Sequence, residues 1–111
     1  MTELLNEVKN CVIAEYGRAS ENYNKIHHSM HESYAVLLEE YEETQELNEA
    51  FKKLLDTIWS LVKSNNLHKH MSSDFRELRD VAEHAAAEWI QVAAMCHKAR
   101  LTLEAVWETE Q

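Results

Sequence analysis

Residues 31–55, HESYAVLLEEYEETQELNEAFKKLL, decide how the chain is read, because their acids fall where a plain amphipathic helix would set part of its core. Wound at ~100° per residue, the segment gathers Leu37, Leu47, Phe51 and Leu55 in one arc, which Ile58 and Val62 continue. Glu40 points into that arc, and Glu39 and Glu43, one turn apart, border it. Three carboxylates on neighbouring surface repel one another and weaken the helix unless a cation sits between them. A hard divalent ion such as Mg²⁺ takes oxygen ligands of this kind.

Working outward from that stretch, the period predicts a second helix from near His31 to as far as Lys63, with Tyr34, Leu37, Tyr41, Phe51, Leu55, Ile58 and Val62 facing inward. Thr44 and Asn48 interrupt this seam, so the pattern allows one long helix or two joined by a break near Asn48. Upstream, Thr2 is a candidate N-cap, and Leu5, Val8, Val12 and Tyr16 follow at helical spacing to about Asn22. The intervening NKIHHSM, residues 24–30, loses the period and reads as a turn. Downstream, SNNLHKHMSS, residues 64–73, reads as a loop, with Ser73 or Asp74 capping the next helix. From Asp74 to about Glu108 one face carries Leu78, Val81, Ala85, Val92, Met95, Ala99, Leu103 and Val106. Glu88 sits near the centre of that face, where a lone charged acid is costly to bury.

Composition agrees. Among 111 residues there is no Pro and one Gly, Gly17, which disfavours hairpins and favours long helices. No internal repeat or linker shows, so residues 1–111 read as one all-α domain, an up-and-down bundle of three to four helices. Twenty acidic against eleven basic residues give a net charge of -9, which argues against binding nucleic acid through its phosphates. Apolar runs are too short for a membrane span, and MTELLNEVKN lacks the layout of a signal peptide. Cys11 and Cys96 form no CxxC, and a reduced, cytoplasmic setting is the natural expectation.

Bringing the two long helices together places Glu39, Glu40 and Glu43 from one beside Glu88 and its i+3 neighbour Gln91 from the other. Four carboxylates at close quarters need raised pKa values or a metal. Oxygen-only ligation suits Mg²⁺ or Mn²⁺ better than Zn²⁺, and Mg²⁺ sites that keep several waters commonly hold substrate phosphates. Glu42, Glu46 and Glu49 read as a solvated face, and the three tryptophans as packing. His28 stands near a helix start where it can meet a phosphate, His84 is a neighbour of Glu88 by one turn, and His68 with His70 makes a poor two-ligand site. A diiron bundle wants Glu-x-x-His pairs, which neither long helix supplies.

Two segments resemble the MazG-like all-α nucleoside triphosphate pyrophosphohydrolases, in particular their small bacterial and phage-type members. HSMHESYAVLLEEYEE, residues 28–43, carries an EExxE pattern as Glu39, Glu40 and Glu43, preceded by a histidine-bearing run ending in YAV. EWIQVAAM, residues 88–95, is similar to the segment that holds the family's ExxD motif. The resemblance implies Mg²⁺ bound by those acids, cleavage of a nucleoside triphosphate between its α and β phosphates, and a homodimer or homotetramer whose bundle is completed between subunits. Gln91 stands where the family has Asp, and Ala87 where many members have another acid; an amide can ligate through its oxygen but adds no charge.

The expected function is therefore Mg²⁺-dependent hydrolysis of a (d)NTP to monophosphate and pyrophosphate. Glu39, Glu40, Glu43, Glu88 and Gln91 would hold the metal, and Glu39 or Glu40 would orient or deprotonate the attacking water. Lys25, Lys98 and Arg100, with His28, are the candidate groups for the triphosphate. Two competing expectations are a non-enzymatic acidic helical module that docks a basic partner, and a nucleotide- or metal-binding regulator without turnover.

Overall fold

The computed structural model describes residues 2–22, 24–65 and 71–110. It is an all-α bundle of three helices, α1 (Thr2–Asn22), α2 (Met30–Lys63) and α3 (Met71–Glu110). No strand occurs among the described residues. Both α2 and α1 pack on α3, and they do not pack on each other. The molecule is long and narrow, 67 × 29 × 25 Å, its length close to the ~60 Å expected of a 40-residue helix such as α3.

The alternatives for α2 resolve to one unbroken helix of 34 residues. Its start is fixed by Ser29, in extended conformation, whose Oγ accepts the Glu32 N–H at 3.1 Å. Ser29-x-x-Glu32 is the capping-box spacing, although the Glu32 carboxylate turns to His28 instead of closing the box. At the other end the Ser64 N–H reaches the Ser60 carbonyl. Asn65 then takes a left-handed φ of 54°, a conformation Asn tolerates at helix ends. α3 begins at Met71, ahead of the Ser73 or Asp74 cap expected from sequence, and Asp74 lies in its first turn. His68 and His70 lie outside the described residues.

Thr44 does not break the α2 seam. It is fully buried, and its Oγ1 donates to the Tyr41 carbonyl at 2.6 Å, so the hydroxyl is satisfied within the helix. Ser33, Ala94 and Thr102 are likewise sealed from solvent. Small side chains thus occupy the most enclosed positions. Of the apolar residues expected to face inward, Ile58 and Leu78 are buried, whereas Tyr34, Tyr41, Leu55, Val62 and Leu103 remain exposed.

The connection from α1 to α2 is tied down on both sides. The Tyr16 hydroxyl donates to the Lys25 carbonyl at 2.8 Å, and the Tyr16 ring meets His97 of α3 edge-on at 4.7 Å. The His27 N–H donates to Thr102 Oγ1 at 2.9 Å, and that hydroxyl donates in turn to the Lys98 carbonyl at 2.8 Å. His27 Nδ1 and Ser33 Oγ are 2.6 Å apart, joining the connection to α2.

Candidate metal and nucleotide site

Where α2 packs on α3, Glu40 and Glu43, on one face of α2, meet Glu88 of α3. One carboxylate oxygen from each lies within 4.8 Å of the other two. At an effective dielectric of about 20, two unit charges that far apart repel by roughly 3 kcal/mol, well above the few tenths of a like-charged pair on an open helix. The structure answers this in two ways. Gln91, oriented so that its amide NH₂ faces the acids, donates to Glu40 Oε2 and to Glu88 Oε2, each at 3.1 Å. Protonation is also favoured. Burial pushes the Glu40 carboxyl up from the usual range, and the fields of Glu43, Glu88, Glu39 and Glu15 push further. Glu88 is raised by burial and then by sharing a hydrogen bond with Glu43, and His84 opposes the shift.

The donor set suits a small hard cation. In an octahedron with bonds of ~2.1 Å, adjacent oxygens stand about 3.0 Å apart and opposite ones about 4.2 Å, so three carboxylates within 4.8 Å of one another seat Mg²⁺ after side-chain shifts of up to about 2 Å. Three acids on two rigid helices leave room for water or phosphate oxygens on the remaining positions.

A cavity of about 450 Å³ opens from this cluster towards the α1–α2 connection. Glu40 and Gln91 form one end, Val36 and Met95 the middle, and Glu32 and Lys98 the far side, with His27 and His28 at the rim. Glu15 and Ala19 supply part of the wall from α1. Its volume is within the range of small-molecule sites, ~300–1,000 Å³.

Of the residues singled out from sequence, the structure brings together Glu40, Glu43, Glu88 and Gln91, and places Lys98 and His28 on the same cavity. Glu39 is exposed and stands outside the three-carboxylate group, acting on it only through its field on Glu40. Lys25 is exposed and engaged through its backbone carbonyl. Arg100 is exposed and pairs with Glu104 at 3.2 Å. Sequence reasoning missed His27, Ser33 and Thr102, the polar pin at the far end of the cavity. His27 is buried and its pKa is lowered, first by that burial and then by Lys98, so the ring is held neutral. The Ser29-x-x-Glu32 spacing was the available signal, since it fixes where α2 starts and therefore which histidine is folded inward.

Compared with family models, curated proteins and solved structures, the chain finds no match in any of the three.

Proposed function

We propose that the chain is a Mg²⁺-dependent nucleoside triphosphate pyrophosphohydrolase, cleaving the bond between the α and β phosphates. The observation that carries this reading is the meeting of Glu40, Glu43 and Glu88 beside a cavity of small-molecule size that Glu40 itself lines. Bound by these acids, Mg²⁺ supplies charge neutralisation for the phosphates and acidifies a water. Glu40 is the better general base of the two carboxylates considered. It lines the cavity, whereas Glu39 faces solvent. Gln91 holds Glu40 and Glu88 at a common spacing before the cation arrives.

A second copy of the chain belongs to the proposal. Among the described residues, fifteen large apolar side chains are exposed against three buried apolar residues, too many for a stable free surface. On α1 they include Leu4, Leu5, Val8 and Ile13, along a helix covered only by α3. The same surface supports the competing reading of an acidic interaction module. No helix among the described residues is long and apolar enough to cross a membrane, so a bilayer-spanning use of these side chains has no support.

The deciding experiment measures pyrophosphate release from a panel of ribo-, deoxy- and modified triphosphates, with and without Mg²⁺. Mg²⁺-dependent release that falls at least ~100-fold in Glu40→Gln is expected. No release across the panel, with Mg²⁺ affinity unchanged in Glu40→Gln, would leave the module as the reading.

A further inference from the structure

The cavity has a built-in order. On α2, Glu32, Val36 and Glu40 occupy successive turns of one face, and on α3 so do Gln91, Met95 and Lys98. The helices run antiparallel, pinned at one end by Gln91 to Glu40 and at the other by the Ser33–His27–Thr102 chain. The walls therefore pass from carboxylates, through an apolar band of Val36 and Met95, to Lys98. The seven helical steps from Gln91 to Lys98 rise about 10 Å.

Lys98 is the unmatched group on these walls. It is only 6 % exposed, yet among the described residues its ammonium has no carboxylate within 4.0 Å and no hydrogen-bond acceptor. The neighbouring carboxylates have hydrogen-bond partners of their own. Arg18 holds Glu15 at 2.6 Å, His28 holds Glu32 at 3.1 Å and Gln91 holds Glu40 at 3.1 Å. The ammonium opens on the cavity, and its three N–H groups can only donate. The far end of the cavity is thus complementary to a ligand edge made of acceptors.

Resting on the nucleotide reading above, we propose that Lys98 selects the nucleobase. The phosphates lie at the carboxylate end, and the base stacks its face over Val36 and Met95, a band where a hydrated polyphosphate would be poorly placed. Its outer edge then reaches Lys98. Guanine, through O6 and N7, and thymine or uracil, through O4, offer acceptors on that edge. Cytosine sets an exocyclic amino donor there with no acceptor beside it, against an ammonium that cannot accept, whereas adenine sets its amino donor beside the N7 acceptor and so stands between the two classes. A buried donor left unpaired by the wrong ligand discriminates far more strongly than a missing methylene does.

The test uses the four deoxynucleoside monophosphates, titrated calorimetrically without metal into the intact protein and into Lys98→Met, with kcat/KM for the four triphosphates alongside. The expected result is dGMP and dTMP binding at least ~10-fold more tightly than dCMP, with dAMP between them, that gap being lost in Lys98→Met and Mg²⁺ affinity unchanged. The wild-type comparison decides even if the variant does not fold. Equal affinity for all four overturns base selection, as does metal-free binding of inorganic pyrophosphate that Lys98→Met abolishes, since Lys98 would then hold phosphate. Base-selective binding without pyrophosphate release upholds this inference and ends the hydrolase reading. Release from all four triphosphates at equal kcat/KM does the reverse.

Discussion

Glu40 and Glu88 are held with their protons favoured, and this has a definite sign in a pH titration. Their folded pKa values lie above the ordinary 4.5, so the native state binds more protons than the unfolded chain. Their contribution is fully present below that ordinary value and is lost as pH rises through the raised folded values. His27 and Glu32, both lowered, act in the opposite sense as pH falls. The comparison that isolates the acids is therefore wild type against Glu40→Gln, by thermal melts in EDTA. The variant should lose less stability between mildly acidic and neutral pH, and Mg²⁺ should restore the wild type at neutral pH. Parallel curves for the two proteins would refute the burial of Glu40 as the cause.

Gln91 gives a second expectation at this scale. Gln91→Asp replaces a neutral clamp with a fourth carboxylate, so the metal-free protein should melt lower while Mg²⁺ binds roughly 10-fold or more tightly by calorimetry. Unchanged affinity would place residue 91 outside the cation's reach. Acids such as Glu40 and Glu88 were legible in the sequence because each stands among aliphatic neighbours on a helical face. Thr44, His27 and Thr102 were not. A polar residue in a seam reads as an interruption, and only the fold reveals that Thr44 satisfies its hydroxyl against Tyr41 and that Thr102 answers a backbone N–H from a residue 75 positions away.

Among the elements, helix existence was legible throughout, since Pro is absent and the periodic stretches are long. The start of α3 was not, because Ser72, Ser73 and Asp74 offer competing cap residues and the helix runs through all three. Ser29, by contrast, caps α2 with good geometry. Ser29→Ala should lower stability by about 1 kcal/mol, read from the urea midpoint at constant slope. No change would show that neighbouring backbone contacts, such as the Ser33 N–H to Ser29 carbonyl at 3.1 Å, suffice to start the helix.

For the whole molecule, the apolar stripe of α2 is wider than one neighbouring helix can cover. Tyr34, Tyr41 and Leu55 were expected inside on periodicity and emerge outside, because α3 meets α2 from one side only and α1 lies elsewhere. Periodicity identifies an apolar face but not whose surface will meet it. Light scattering coupled to gel filtration should give a dimer or tetramer mass that persists on dilution to the micromolar range, and a monomer at all concentrations would refute self-association.

The Thr102 hydroxyl receives the His27 N–H and gives its own proton to the carbonyl of Lys98. The segment that fences the cavity and the turn that carries Lys98 therefore hang from one oxygen atom. A molecule that satisfies Lys98 steadies the fence behind it, and the His27 amide should then exchange its hydrogen with solvent more slowly than in the empty protein.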